Sequence, residues 1–243
     1  LRLIMIILYS LSIYRPDFKI GVPLNIKEIL YYSLLIFLSG FGASIIIDVD
    51  AAMLGKLVQD ELVAYYKVAI FIAAIIDAPS RALFQILNPM IAETINKNDI
   101  PTLERLYKKS SSNLFLISGV ISVLICSNIN DIYEIIYSLN LNNGFRLAIP
   151  VVFYISICKL SSALVGCVNS IITNSKYYYM VPLFSISSAI GVIFLNIFFI
   201  NKIGFIGAAI STMIIIVLFN FLKLIFVMLK FKIQPFTKNT VLI

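Results

Sequence analysis

Four stretches of this chain, residues 29–47, 110–130, 177–201 and 203–222, run for nineteen positions or more without a charged side chain. A helix needs ~20 mostly apolar residues to cross a hydrocarbon core of about 30 Å. Backbone polar groups in lipid must find partners inside the structure, so only helices and closed barrels can span. Barrel strands would show ~10-residue segments alternating apolar and polar side chains. These runs are continuous, which predicts an all-α, polytopic transmembrane helix bundle. Composition points the same way. Of 243 residues, 60% are hydrophobic and 13% charged, against about 45–50% and 25% in soluble domains.

The expected spans are 29–47, 63–92, 111–129, 147–173, 178–200 and 203–229. A partial one lies at 1–14, where the chain opens on Leu1 inside an apolar run already under way. That start is read as the tail of a helix whose beginning lies upstream. Turn-rich pieces separate the spans, among them Arg15-Pro16-Asp17, 96–101, 140–144 and Asn174-Ser175-Lys176. The stretch from Asp99 has a capping residue, then Pro101, with Leu103, Leu106 and Tyr107 at helical spacing. It is expected to form a short amphipathic helix on the membrane surface, leading into the next span.

Alternate loops differ in cation content. One set holds Arg15, Lys19, Lys27, Lys97, Arg105, Lys108, Lys109, Lys176, Lys230, Lys232 and Lys238; the other holds Lys56, Arg146 and Lys202. Eleven against three places the first set, and the C-terminus, on the cytoplasmic side. The formal charge of +7 then reads as loop cations near anionic lipid headgroups, and no nucleic-acid partner is expected. With no His and no CxxC pair, zinc or haem would lack ligands, and no cofactor is expected. Cys126, Cys158 and Cys167 all sit in apolar segments, as small hydrophobes do.

Ionisable residues inside a span are costly and mark function or pairing. On the 63–92 segment Lys67, Asp77, Arg81, Gln85 and Asn88 share an arc of about 80° at 100° per residue. One reading is a polar stripe lining a wet cavity that receives an anionic substrate. The other is structural: Asp77 and Arg81, one turn apart, neutralise each other, and the amides satisfy neighbouring backbone. Lys159 lies near the middle of 147–173, and Ser162, Gly166, Asn169 and Thr173 fall within about 80° of it. It is either a site residue or the partner of an acid such as Asp77. Asp48 and Asp50 close the second segment at the outer interface, where acids are tolerated cheaply. Gly204, Gly207, Ala208 and Ser211 form small-xxx-small pairs suited to close helix approach, within the chain or between copies.

One block carries a resemblance. Asp50-Ala-Ala-Met-Leu54-Gly55-Lys-Leu is followed by Val63-Ala-Tyr-Tyr66-Lys-Val-Ala69, then by Asn88-Pro89-Met-Ile-Ala92 and a stretch with Asp99 and Leu103. This resembles the polysaccharide flippases of the multidrug/oligosaccharidyl-lipid/polysaccharide transporter superfamily, with Ala64 where that family usually has Gly. The resemblance covers residues 50–106. It implies two helix bundles around a central cavity, this chain being the second, C-terminal bundle, with the N-terminal bundle missing. It also implies a bacterial cytoplasmic (inner) membrane protein of surface polysaccharide or O-antigen biosynthesis. Such a protein moves lipid-linked oligosaccharide of the undecaprenyl-pyrophosphate type between leaflets by alternating access. Cations at Lys67, Arg81 and Lys159 would offset the pyrophosphate charge.

Three other classes were weighed. A cation-coupled multidrug extruder of the same superfamily would want acids in its cavity, whereas Lys67, Arg81 and Lys159 stand against Asp77 alone. A membrane-embedded polymerase or glycosyltransferase would need a large polar outer loop; the longest here is about sixteen residues, 129–144. No enzyme activity is therefore expected. A remnant that does not transport is the third, since half of such a protein closes no cavity.

Overall fold

The computed structural model describes residues 25–58, 60–138 and 143–236. The expected partial span at 1–14 and the cations Arg15, Lys19 and Lys238 lie outside them. The described residues form helices and no strand. In chain order these are α1 (Ile26–Leu57), α2 (Asp60–Ala74), a 3-10 turn (Ile75–Asp77), α3 (Ala78–Asn96), α4 (Ile100–Ser127) and α5 (Ile129–Ser138). A second 3-10 segment (Asn143–Ala148) leads into α6 (Ile149–Leu164), α7 (Val168–Thr173), α8 (Met180–Ile203) and α9 (Phe205–Phe231). The chain divides into a first unit, Leu1–Leu34, described from residue 25 as the opening of α1, and a second, Leu35–Ile243.

Among the described residues five stretches are long and apolar enough to cross a membrane: Glu61–Asn96, Ile100–Ser127, Gly144–Leu164, Met180–Ile203 and Phe205–Phe231. Their outer surfaces are apolar. Phe71, Phe194 and Leu229 are each more than 70% exposed, a state water would penalise and lipid does not. Helix α4 makes the point by its polarity, which is inside-out relative to a soluble helix. Ser110, Ser111, Ser118 and Ser122 face inward and are buried, while Phe115, Leu116, Val120, Val123 and Leu124 face outward. In lipid the apolar exterior costs nothing, and small inward residues let helices approach closely.

Helix α6 is the hub, packed against α2, α4 and α9. Two apolar cores form around it. One gathers Tyr66, Ile76, Val152, Ile155 and Ala208. The other gathers Ile91, Tyr107, Ile171, Ile172 and Val227.

Two helices break inside the bundle, and α4 mends both. Pro79 lacks an N–H, and its ring clashes with the carbonyl four residues back, in the turn at Ile75–Asp77. The Ile75 carbonyl accepts instead from the Ala78 N–H, and the next carbonyl, that of Ile76, accepts a hydrogen bond from Ser118 Oγ at 3.1 Å. The span expected over 147–173 is not one helix. It stops at Leu164, passes Gly166 at φ +54°, and resumes at Val168. Ser111 donates its hydroxyl to the Leu164 carbonyl, and the Cys167 N–H donates to Ser110 Oγ at 3.4 Å. A Cβ at Gly166 would come within 2.8 Å of the Ser111 nitrogen, so the site takes only Gly. Interrupted helices persist in membranes where side chains satisfy the freed backbone groups.

The short surface helix expected from Asp99 also differs. Residues Ile100–Ser127 form one continuous helix. Nothing between Tyr107 and Leu114 breaks it, and the buried stripe of Leu103, Tyr107, Ser111, Leu114 and Ser118 runs straight through. Asp99 does cap it, accepting from the Thr102 N–H at 3.1 Å. Hydrogen bonds from Thr102 hold the Asp99 carboxyl below the usual carboxylate range. Gly207 packs within the chain: a Cβ there would lie 2.3 Å from the Phe199 carbonyl oxygen on α8.

Candidate functional site

Between the two cores lies a polar layer. Asp77, at the end of the 3-10 turn, accepts a hydrogen bond from Lys159 Nζ on α6 at 2.6 Å. The two side chains are 22% and 27% exposed. On the same level Asn220 of α9 donates to Ser161 and Ser162 of α6 at 2.9 and 3.1 Å. Of the two partners open to Asp77, the structure therefore selects Lys159 across the bundle and not Arg81 one turn on.

Asp77→Asn leaves Lys159 without its counter-charge in a half-dry site. Breaking a buried pair from one side costs about 3–5 kcal/mol, and partial exposure puts the expected loss near the lower end. The variant should unfold earlier in detergent, followed by circular dichroism. Asp77→Leu combined with Lys159→Met should recover most of the loss, and failure to recover would mean the pair does more than neutralise charge.

The pairing leaves Lys67 and Arg81 without an ion pair among the described residues. Both are exposed, as are Gln85 and Asn88. These four lie on the outward face of Glu61–Asn96, a run otherwise apolar enough to span a membrane. The outward face of α4 from Phe115 to Leu124 carries no such group. The four share that outer surface with apolar side chains, Phe71, Ile75 and Ile86 among them. Arg81 stands close to the middle of the run. Lys67 lies fourteen residues earlier, roughly 20 Å away at 1.5 Å per residue. A single diphosphate cannot bridge that distance, so the two cations form separate stations. Asn88 accepts a hydrogen bond from Ser170 of α7, which joins α3 to the resumed helix. Asn169, exposed on α7, lies beyond the break at Gly166 and lines a different cleft from the Lys159 pair.

Two residues escape a reading of the sequence. Asp50 is buried inside the bundle, 2% exposed. Its carboxylate accepts from Tyr66 Oη at 2.6 Å, Asn196 Nδ2 at 2.7 Å and Thr212 Oγ1 at 2.7 Å, and so binds α1 to α2, α8 and α9. Asp48, two residues earlier, is exposed. The second is Lys223, a lone cation late in the apolar run of α9, which lines the cleft that Asn169 shares. Lys223 has no local motif, and the partners of Asp50 are 16 to 162 positions away. No group of three or more His, Cys, Asp or Glu side chains suited to a metal occurs among the described residues.

Fold and surface define a class: an all-α, multi-pass membrane protein. Comparison with family models, with curated proteins and with solved structures gives no match.

Proposed function

We propose that the chain is the C-terminal bundle of a flippase that carries lipid-linked oligosaccharide of the undecaprenyl-pyrophosphate type across a bacterial cytoplasmic membrane. The observation that carries this reading is the pair of uncompensated cations, Lys67 and Arg81, on the exposed face of a membrane-spanning run. Because Asp77 is held by Lys159, the net charge of that face is positive. A low-dielectric site with fixed positive charge favours an anionic cargo and disfavours a cationic one. The motif block over residues 50–106 supports the same reading. In it, the missing N-terminal bundle would supply the other wall of the cavity. The pyrophosphate would meet Arg81 near the membrane midplane and Lys67 nearer one surface, as successive stations during alternating access.

The test is a transport assay on the complete transporter in proteoliposomes. A fluorescent polyprenyl-diphosphate-linked oligosaccharide should exchange leaflets at a protein-dependent rate, and a lipophilic cationic dye should not. Export of the dye alone would favour the cation-coupled extruder.

The cation count of alternate loops supports a cytoplasmic C-terminus. A cysteine at Asn239 is expected to resist a membrane-impermeant thiol reagent on intact cells, and one at Asn142 to react. The reverse pattern would invert the topology.

A further inference from the structure

A seam between α1 and α8 carries two clefts end to end. The first, about 410 Å³, is lined by Ser39 of α1, Asn169 and Thr173 of α7, Tyr178, Ser185 of α8 and Lys223 of α9. The second, about 260 Å³, is lined among the described residues by Gly42 and apolar side chains, including Leu38, Phe41 and Ile45 of α1 and Ile186, Ile190 and Ile193 of α8. Along both helices the residue numbers rise from the first cleft into the second. A polar pocket holding a cation thus opens directly onto an apolar slot.

Lys223 has no ion-pair or hydrogen-bond partner among the described residues. An unpaired cation inside a span calls for a partner, and the same cleft holds further donors in the Asn169 amide and the Ser185 hydroxyl. The rim of the slot is open, with Phe37, Phe41 and Ile190 each half exposed or more. A molecule from the bilayer reaches it sideways.

We infer that the α1–α8 seam is a binding site for an anionic phospholipid, its phosphate on Lys223 and one hydrocarbon chain in the Leu38–Ile193 slot. Charge decides the class of ligand. One uncompensated lysine balances one phosphodiester, whereas a diphosphate would bring at least two negative charges to a single cation and leave charge unpaired in a low-dielectric site. The polar-then-apolar order matches the headgroup-then-chain order of a phospholipid lying along a helix. The site is separate from Lys67 and Arg81 and does not depend on what the protein carries.

Native mass spectrometry of the full chain, purified in detergent, tests it. Phosphatidylglycerol, phosphatidylcholine and a polyprenyl diphosphate are added in turn. The wild type should retain phosphatidylglycerol about tenfold more tightly than phosphatidylcholine. Lys223→Met should remove that preference and Lys223→Arg should keep it. Ser39→Phe, which fills the cleft without touching the charge, should also lower retention, so a misfolded lysine variant would not leave the question open. Equal retention of phosphatidylglycerol by wild type, Lys223→Met and Ser39→Phe would overturn the site. Lysine-dependent preference for the polyprenyl diphosphate would overturn the assignment to a bilayer lipid.

Discussion

Asp50→Leu is expected to remove most folded protein from the membrane. The native carboxylate takes hydrogen bonds from Tyr66, Asn196 and Thr212, on three other helices. Leucine is close in size but accepts none, so three donors are stranded in a dry site. Each unsatisfied buried donor costs about 1–3 kcal/mol. Whole-domain stability is only about 5–15 kcal/mol, so the sum is a large part of it. Among the described residues of α1, Gly42 lies close against Ser185 of α8, while Phe37 and Phe41 are exposed. Leu54 is its fully buried apolar anchor. Asp50→Asn keeps one acceptor oxygen and the shape, and should lose far less. The check is the yield of monodisperse protein in detergent, with the unfolding midpoint of what survives. A Leu variant as stable as wild type would mean that the three donors are satisfied some other way.

The helices were legible in the sequence because lipid imposes a crude rule: long apolar runs without charge become spans. The runs at 178–200 and 203–229 reappear as α8 and α9 within three residues at either end. The failures share one cause. At 147–173 the periodicity continues through Gly166, and nothing local reports that Ser110 and Ser111 of α4 stand ready to receive a broken backbone. The stretch expected as a short surface helix is the opening of one continuous helix, Ile100–Ser127, whose Ser110 and Ser111 face the bundle interior.

The polar side chains were legible in the sequence but their partners were not. Lys67, Arg81, Gln85 and Asn88 are each exposed, on either side of the 3-10 turn. That Asp77 pairs with Lys159 is a long-range fact, 82 positions apart. The burial of Asp50 was not legible from position alone. An acid at the end of an apolar run is usually at an interface, and only the fold brings Asn196 and Thr212 to it.

Arg81→Ala is expected to abolish transport while leaving the protein folded. The structure sharpens this test. Arg81 is exposed and makes no ion pair among the described residues, so its removal strands no acid; Asp77 keeps Lys159. Alanine is also a good helix former, so α3 should lose no stability. What is lost is the one planar guanidinium near the middle of the run. Its fork can bind two phosphate oxygens at once and stays charged at any relevant pH. Loss of a charge-assisted contact to a desolvated phosphate is worth about 2–5 kcal/mol, a fall in rate of roughly 30-fold to several thousand-fold. Arg81→Lys keeps the charge and loses the fork, and should restore part of the rate. Lys67→Ala, nearer the surface, should slow transport less. The decisive measurement is the leaflet-exchange rate of a polyprenyl-diphosphate-linked oligosaccharide in proteoliposomes carrying equal amounts of folded wild-type, Arg81→Ala and Arg81→Lys transporter. The account predicts a full rate, background and an intermediate rate, in that order. A wild-type rate in well-folded Arg81→Ala would contradict it.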